Sequence, residues 1–501
     1  MLSSVKPLSF FRVNQMKLTK KWLTHRRKTI AHFLRRLSSS PRLQIPYQRQ
    51  KQNRNLRNQL IKYLFSSLLL TCLYLSLGSA ISISQPVEDS TVEKILQQGN
   101  FSEAIRAVEQ DWKNDYQNYF SSTFLNSLQT GEQIAKKIST IAIETKTKPA
   151  VIWMLPRSHQ LELLLVTPGK APIYRSIPEA NQEILLKTVK ELIQEITNRR
   201  KTRSLSYLTP SQKLYQWTIA PLSQFLEAEK IDTLLLCVGG GLRTIPWATL
   251  HDGKQFLVQK YNLAEIPAFA LTDQSYIDIR QAKILAMGAS EFSNLNPLPA
   301  VPLELSTITQ KGQGQTFLNQ QFTLENLQNQ RRKENYKIIH LATHAEFQPG
   351  EPKNSFIQLW QSQINLAQIK ELGWNNPPVE LLVLSACRTA LGDKDAELGF
   401  AGLTVQAGVK SVLASLWYVS DAGTLALMSE FYQQLKTAKI KSEALRKAQI
   451  AMIQGKVKLT QGKLESSRGG MLLPLSLGEI GEPNLTHPYY WAAFSAIGSP
   501  W

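Results

Sequence analysis

Apolar positions along this chain follow two rhythms. From about residue 130 onward, short unbroken apolar runs alternate with stretches in which apolar residues recur every three or four positions. The runs predict strands at 150–155, 161–167, 233–238, 283–287, 337–342, 380–385 and 411–417; the longer period predicts helices at 179–198, 398–406, 423–435 and 443–453. Strands apolar on both faces and alternating with helices predict an α/β fold whose mainly parallel sheet is covered on both sides. The first two strands, joined across Pro156-Arg157-Ser158-His159, fit an antiparallel edge hairpin as well. Two breaks interrupt the pattern: 294–303, rich in Pro and Asn, reads as a subdomain boundary, and 454–476, polar and glycine-containing, as a flexible surface loop.

Upstream the pattern changes. Val92, Ile95 and Leu96 share one helical face, Gly99-Asn100 interrupts it, and Phe101, Ala104, Ile105 and Val108 resume it. Residues 84–128 therefore read as one tetratricopeptide-like helical hairpin, which needs the main domain to cover its apolar face or serves as a spacer. Residues 63–83 are 21 positions without a charge. As a helix they are long enough for a ~30 Å hydrocarbon core, so a transmembrane or signal segment is expected there.

Charge sharpens that expectation. The net charge is +20, but residues 1–62 hold 16 Lys or Arg and no acid, which leaves 42 basic against 38 acidic residues, or +4, for the rest. A nearly neutral folded part speaks against a nucleic-acid-binding domain; the arm, with Phe10, Phe11, Trp22 and Phe33, is compatible with one only weakly. Followed by an apolar span, a basic arm stays cytoplasmic by the positive-inside rule, and the domain after Ser84 lies across the membrane. The alternative is secretion after cleavage at Gly78-Ser79-Ala80. Three cysteines, Cys72, Cys237 and Cys387, give no spacing for a disulfide framework or a metal site, and free thiols sit uneasily with export.

Two of the apolar runs stop on reactive side chains. Ile338-Ile339-His340-Leu341-Ala342-Thr343-His344 ends on an imidazole, and Val379-Glu380-Leu381-Leu382-Val383-Leu384-Ser385-Ala386-Cys387 on a thiol. Neighbouring parallel strands with these ends bring a nucleophile and a base to the carboxyl edge of the sheet. Backbone N–H groups of Ala345 and Cys387 are the candidate oxyanion donors. The plainer reading of a cysteine at a strand end is an inert core residue, and His340, within its strand, reads as a core histidine. Other motifs fail. His340 and His344 lack the glutamate and helix of a zinc protease, and Gly239-Gly240-Gly241-Leu242-Arg243-Thr244 lacks the dinucleotide spacing and reads as a turn. No metal or cofactor is expected.

Several segments in order resemble the CHAT domain. They are Gly241-Leu242-Arg243-Thr244-Ile245-Pro246-Trp247, Leu250-His251-Asp252-Gly253, Leu341-Ala342-Thr343-His344-Ala345-Glu346-Phe347, Leu384-Ser385-Ala386-Cys387-Arg388-Thr389-Ala390, Gly399-Phe400-Ala401-Gly402-Leu403, the stretch from Gly408 to Trp417, and His487-Pro488-Tyr489-Tyr490-Trp491-Ala492-Ala493-Phe494. That family belongs to the caspase and separase group of cysteine peptidases and often follows tetratricopeptide repeats. The resemblance implies a caspase-like three-layer α/β/α sandwich, with a degenerate half over 130–290 and a catalytic half over 291–501. It implies peptide-bond hydrolysis by a His344–Cys387 dyad on a protein or peptide substrate; a regulatory partner or a processing event is expected to order the cleft. Related peptidases commonly have Gly after the histidine, where Ala345 stands here. By resemblance to separase, Asp421 receives a basic substrate side chain; Ser385 and Trp417 are further substrate-binding candidates. The plainer readings are an N-cap for Asp421 and core packing for Trp417. The other functional class the sequence allows is a catalytically silent scaffold on the same fold.

Overall fold

The seven apolar runs all become strands of one 13-stranded sheet. A computed structural model provides the fold and describes residues 90–460, 462–467, 469–473 and 483–501. The first half contains helices α1 (Ser90–Gln97), α2 (Phe101–Phe120) and α3 (Gly131–Thr145), then strands β1 (Pro149–Pro156), β2 (Leu161–Val166) and β3 (Ile173–Ile177). Helices α4 (Gln182–Thr197) and α5 (Leu208–Thr218) follow, then β4 (Thr233–Val238) and β5 (Asn262–Ile266). The second half begins with β6 (Ile284–Gly288), α6 (Val301–Ile308), β7 (Gly314–Leu318), α7 (Leu324–Lys333) and β8 (Ile338–Phe347). It continues through β9 (Phe356–Gln358), β10 (Gln363–Asn365), β11 (Leu381–Thr389), α8 (Lys394–Ala401), β12 (Ser411–Ser415), α9 (Asp421–Leu435) and α10 (Lys441–Ile453). A small separate sheet, β13 (Lys458–Thr460), β14 (Lys463–Ser466) and β15 (Gly469–Leu472), precedes β16 (Phe494–Gly498).

Side-chain alternation along β1 explains the three layers. Ala150, Ile152 and Met154 pack in one apolar cluster with Leu185 and Val189 of α4 and Leu214 of α5; Val151, Trp153 and Leu155 pack in another with Ala104 and Ile105 of α2 and Ile134 and Ile138 of α3. With both faces buried, each such strand has to be apolar throughout, which is why the runs are unbroken. β1, β4 and β5 are parallel, as are β7, β6, β8, β11 and β12. The edge beyond β1 is an antiparallel β1–β2–β3 meander. Between the halves lies β16, antiparallel to β12 and parallel to β5, so the two parallel blocks run in opposite senses across the seam.

Four expectations need correction. The tetratricopeptide-like hairpin is not supported: the break at Gly99-Asn100 is present, but its helices span 8 and 20 residues and α2 is bound into the main core. The carboxylate of Glu109 on α2 accepts hydrogen bonds from Trp153 Nε1 of β1 (2.7 Å) and from the backbone N–H groups of Phe269 (2.9 Å) and Ala270 (2.8 Å). Burial pushes the Glu109 carboxyl up, and these donors oppose the rise. The helix expected over 398–406 is divided at Gly402, where a Cβ would lie 2.6 Å from the Phe120 ring of α2. The loop expected over 454–476 contains β13–β15, whose Leu459 and Leu464 are buried. Finally, the single-pass membrane reading is overturned: among the described residues no helix is long and apolar enough to cross a membrane. Residues 63–83, with the basic arm 1–62 and the cleavage site near Ala80, lie outside the described residues.

Candidate functional site

Strand β8 does not stop at Ala342 but continues through His344 to Phe347, and β11 continues through Cys387 to Thr389. The two strands are parallel, with a register shift between Leu384 and Ala386 after which Ala386 stands opposite His344 and Cys387 opposite Ala345. Residues 344 and 387 therefore occupy diagonal positions on adjacent strands, which lie ~4.8 Å apart in a sheet. Ala345 is also in register with Ile357 of β9, so it is laddered on both sides.

The imidazole of His344 is held by the segment leading into α6. Its Nε2 lies 2.8 Å from the carbonyl oxygen of Asn296. A carbonyl only accepts, so Nε2 carries the hydrogen and the neutral ring has Nδ1 as its basic atom. The ring also packs at 4.9 Å from the Phe292 centroid and is stacked at 6.4 Å on Tyr418. Segment 294–303, expected as a boundary, is thus the cover of His344. Pro and Asn announce irregular backbone, but nothing in their spacing says what that backbone lies against.

Tyr418 links His344 to the acidic candidate. Its hydroxyl donates to Asp421 Oδ1 at 2.9 Å, while Asp421 Oδ2 lies 3.5 Å from the backbone N of Ala300. Burial pushes the Asp421 carboxyl up; the Tyr418 and Ala300 hydrogen bonds oppose that rise, Glu304 adds to it, and His344 opposes it. The same burial and the adjacent Asp421 charge raise the Tyr418 phenol well above its ordinary value. The cap reading of Asp421 does not hold: Ser420 caps α9, its side chain accepting from Gly423 N, and Asp421 is the first helical residue.

The remaining candidates are withdrawn from open space. Ser385 is 2% exposed on β11. Trp417 is 6% exposed and its Nε1 donates to the carbonyl of Tyr489 at 3.1 Å, so it packs in the core rather than lining a pocket. Four residues before His344 on the same strand, His340 is fully buried between Glu304 Oε1 (2.8 Å from Nε2) and Tyr432 Oη (3.0 Å from Nδ1). Both ring nitrogens are thus engaged. Glu304, Asn296, Phe292 and Tyr432 escaped the sequence reading because only tertiary packing assembles them. No cluster of metal-ligating side chains occurs among the described residues.

The model of the family described as "CHAT domain" matches residues 208–499. Among solved structures, the chain is similar to the Saccharomyces cerevisiae separase–securin complex in two crystal structures, with 12% and 11% identity and TM-scores of 0.43 and 0.44. Each match covers 83% of this chain and 34% of that one, so the chain spans about a third of the separase length. The complex of Porphyromonas gingivalis RgpB pro- and mature domains matches with 12% identity and a TM-score of 0.35, covering 64% of this chain and 77% of that one. No curated protein matches the sequence.

Proposed function

The chain belongs to the CHAT domain family, and from that premise we propose that it is a cysteine endopeptidase in which His344 activates Cys387. The observation that carries this reading is the pinning of His344 Nε2 by the Asn296 carbonyl, on a strand position adjacent to residue 387. With Nε2 committed as donor, Nδ1 takes the thiol proton. The thiolate attacks the peptide carbonyl carbon, the oxyanion forms, and the C–N bond breaks as His344 returns the proton to the departing amine. Water then hydrolyses the acyl-enzyme. The substrate is a protein or peptide with a basic residue before the scissile bond, received by Asp421 and oriented by Tyr418. A half-buried carboxylate whose ionisation is disfavoured by burial gains from a cationic partner.

A second observation favours a resting state. The backbone of Ala345 lies inside a ladder flanked by β11 and β9 rather than at an open strand end. An oxyanion needs N–H groups that point away from the sheet. We infer that a regulatory protein partner or a processing event releases β9 from β8 and exposes those donors. Without such release the same fold acts as a scaffold. The test is labelling by a thiol-directed peptidyl probe with Arg before the reactive group. The wild-type chain is expected to be labelled under an activating condition and Cys387→Ala not; equal labelling of the two, or none under any condition, sinks the peptidase reading.

A further inference from the structure

The first half holds a buried cation, one of whose nitrogens has no hydrogen-bond partner among the described residues. Arg243 is 2% exposed, and its Nη1 has no hydrogen-bond partner among the described residues. Its guanidinium lies over the Tyr116 ring of α2 at 5.6 Å. A buried guanidinium nitrogen left without a hydrogen bond is costly, and folded proteins retain few such groups without a use. Arg243 lines a cleft of about 420 Å³, a size suited to a small molecule.

Glycine makes the cleft. β4 runs out into Gly239-Gly240-Gly241, and Gly241 adopts φ +86°, where a Cβ would meet Leu186 at 2.3 Å. At Gly240 a Cβ would find only Nη1 of Arg243, at 3.7 Å, so the missing side chain leaves open space in front of the guanidinium. α2 contributes Asp111 and Asp115 to the wall, and Arg157 and Lys394 also line it. Walls of both signs favour a ligand that carries both.

The second half reaches this cleft too. Glu397 of α8 accepts from the backbone N–H of Gly241 at 2.7 Å and from the Thr244 hydroxyl at 3.1 Å, so its oxygens are spent on the glycine turn rather than on Arg243. Burial pushes the Glu397 carboxyl up, and Glu265, also buried near Arg243, is pushed well up. The Arg243 charge opposes both rises, and the two acids in turn favour the charged guanidinium. Gly392 and Lys394, which also line the cleft, belong to the segment that leaves the sheet after Thr389, two residues beyond Cys387.

We propose that this cleft binds a free α-amino acid, its carboxylate on Arg243 and its ammonium toward Asp111 and Asp115, and that occupancy orders the segment that follows Cys387. The binding is independent of the peptidase reading; that the ordering controls cleavage rests on it.

Because Cys387→Ala keeps the cleft intact without a reactive thiol, it is the chain to use. Its thermal midpoint is measured with a panel of free L-α-amino acids, with their carboxamides, and with inorganic phosphate. At least one free amino acid is expected to raise the midpoint and its carboxamide not to, a ligand at ten times its Kd favouring the folded state about 11-fold. Gly240→Val fills the space before Arg243 and is expected to abolish the rise; Gly240→Ala, whose Cβ makes an ordinary contact, folds and is expected to weaken it. Hydrogen exchange over residues 388–401 is expected to slow in the bound chain. No shift with any free amino acid, a shift that survives Gly240→Val, or a shift with phosphate alone overturns the assigned ligand. Unchanged exchange over 388–401 in a chain that does bind overturns the coupling, whatever the chain's activity on peptides.

Discussion

In the first half, β1 and β4 end at Pro156 and Val238, and β4 gives way to a turn of three glycines. In the second half, the adjacent parallel pair β8 and β11 runs on to Phe347 and Thr389 and carries His344 and Cys387 in its final residues. Both pairs are parallel, fully buried along most of their length and covered by helices, so the same sheet physics builds both. They differ only where the backbone leaves the sheet. One half offers a cleft with a buried cation, and the other a thiol and an imidazole position. The comparison separates fold from chemistry: burying apolar strands fixes the sheet, while a few residues at strand ends decide what each half does.

The comparison breaks most completely at the thiol. Cys387→Ala is expected to abolish peptide cleavage with little effect on the thermal midpoint, measured on the activated chain; full activity in that variant would place the chemistry elsewhere. Replacing the base has a smaller consequence. His344→Gln is expected to lower kcat by about 10²–10⁴-fold, the usual contribution of a positioned general base, with the midpoint close to wild type. Asp421→Asn is expected to lower kcat/KM for substrates with Arg before the scissile bond about 10–100-fold and to leave neutral substrates nearly unaffected, for loss of one charge-assisted contact. A cleavage-site profile checks this, and an unaltered Arg preference removes Asp421 from recognition.

A pH effect sharpens the contrast by concerning neither site. His487 is buried, its Nδ1 accepts from Tyr489 N at 3.2 Å, and burial depresses its pKa from 6.5 to about 4. The unfolded chain then binds a proton that the folded chain refuses. Stability from this group is present above pH 6.5 and lost as pH falls toward 4, at most on the order of 3 kcal/mol. His487→Asn keeps a capping acceptor and is expected to flatten the acid side of a stability–pH profile between those values; an unchanged slope assigns the acid sensitivity to other groups. The smallest effect expected is from Trp417→Phe, which removes the hydrogen bond to Tyr489 and is predicted to cost about 1 kcal/mol by chemical denaturation, with specificity unaltered. A change in specificity instead would return Trp417 to the substrate pocket.

Much of the sheet was legible because its interior strands carry no polar alternation to confuse them. β3 and β5 escaped notice: Tyr174, Arg175 and Ser176 make β3 an edge strand, and Asn262 and Glu265 are polar although both are buried. β16 was missed as well, since Phe494–Gly498 is short and its place between β12 and β5 follows from topology alone. The apolar run 63–83 shows the opposite failure: absence of charge satisfies a hydropathy criterion, but the membrane reading built on it is not sustained among the described helices. At the site, the candidates His344 and Cys387 stand out locally because each closes an apolar run in the sequence. The Asn296 carbonyl could not, because it is a backbone atom, and any residue type supplies one. Arg243 stands in the sequence only as part of a motif; the burial of its Nη1 without a hydrogen-bond partner among the described residues has no sequence signature.

Consider β16 in the order of synthesis. The ribosome delivers β5 and β12 long before it reaches Phe494, and in the finished sheet that late strand lies between them. Until it emerges, each block presents an unpaired backbone edge to the cell, a template for mispairing that chaperones would have to shield. Insertion of a single short strand then joins the two blocks, along Ser411–Ser415 of β12 and through the pair Ile497–Glu265 of β5. Closure of the seam therefore waits for residues 494–498, and a nascent chain that already contains His344 and Cys387 is still not a closed molecule.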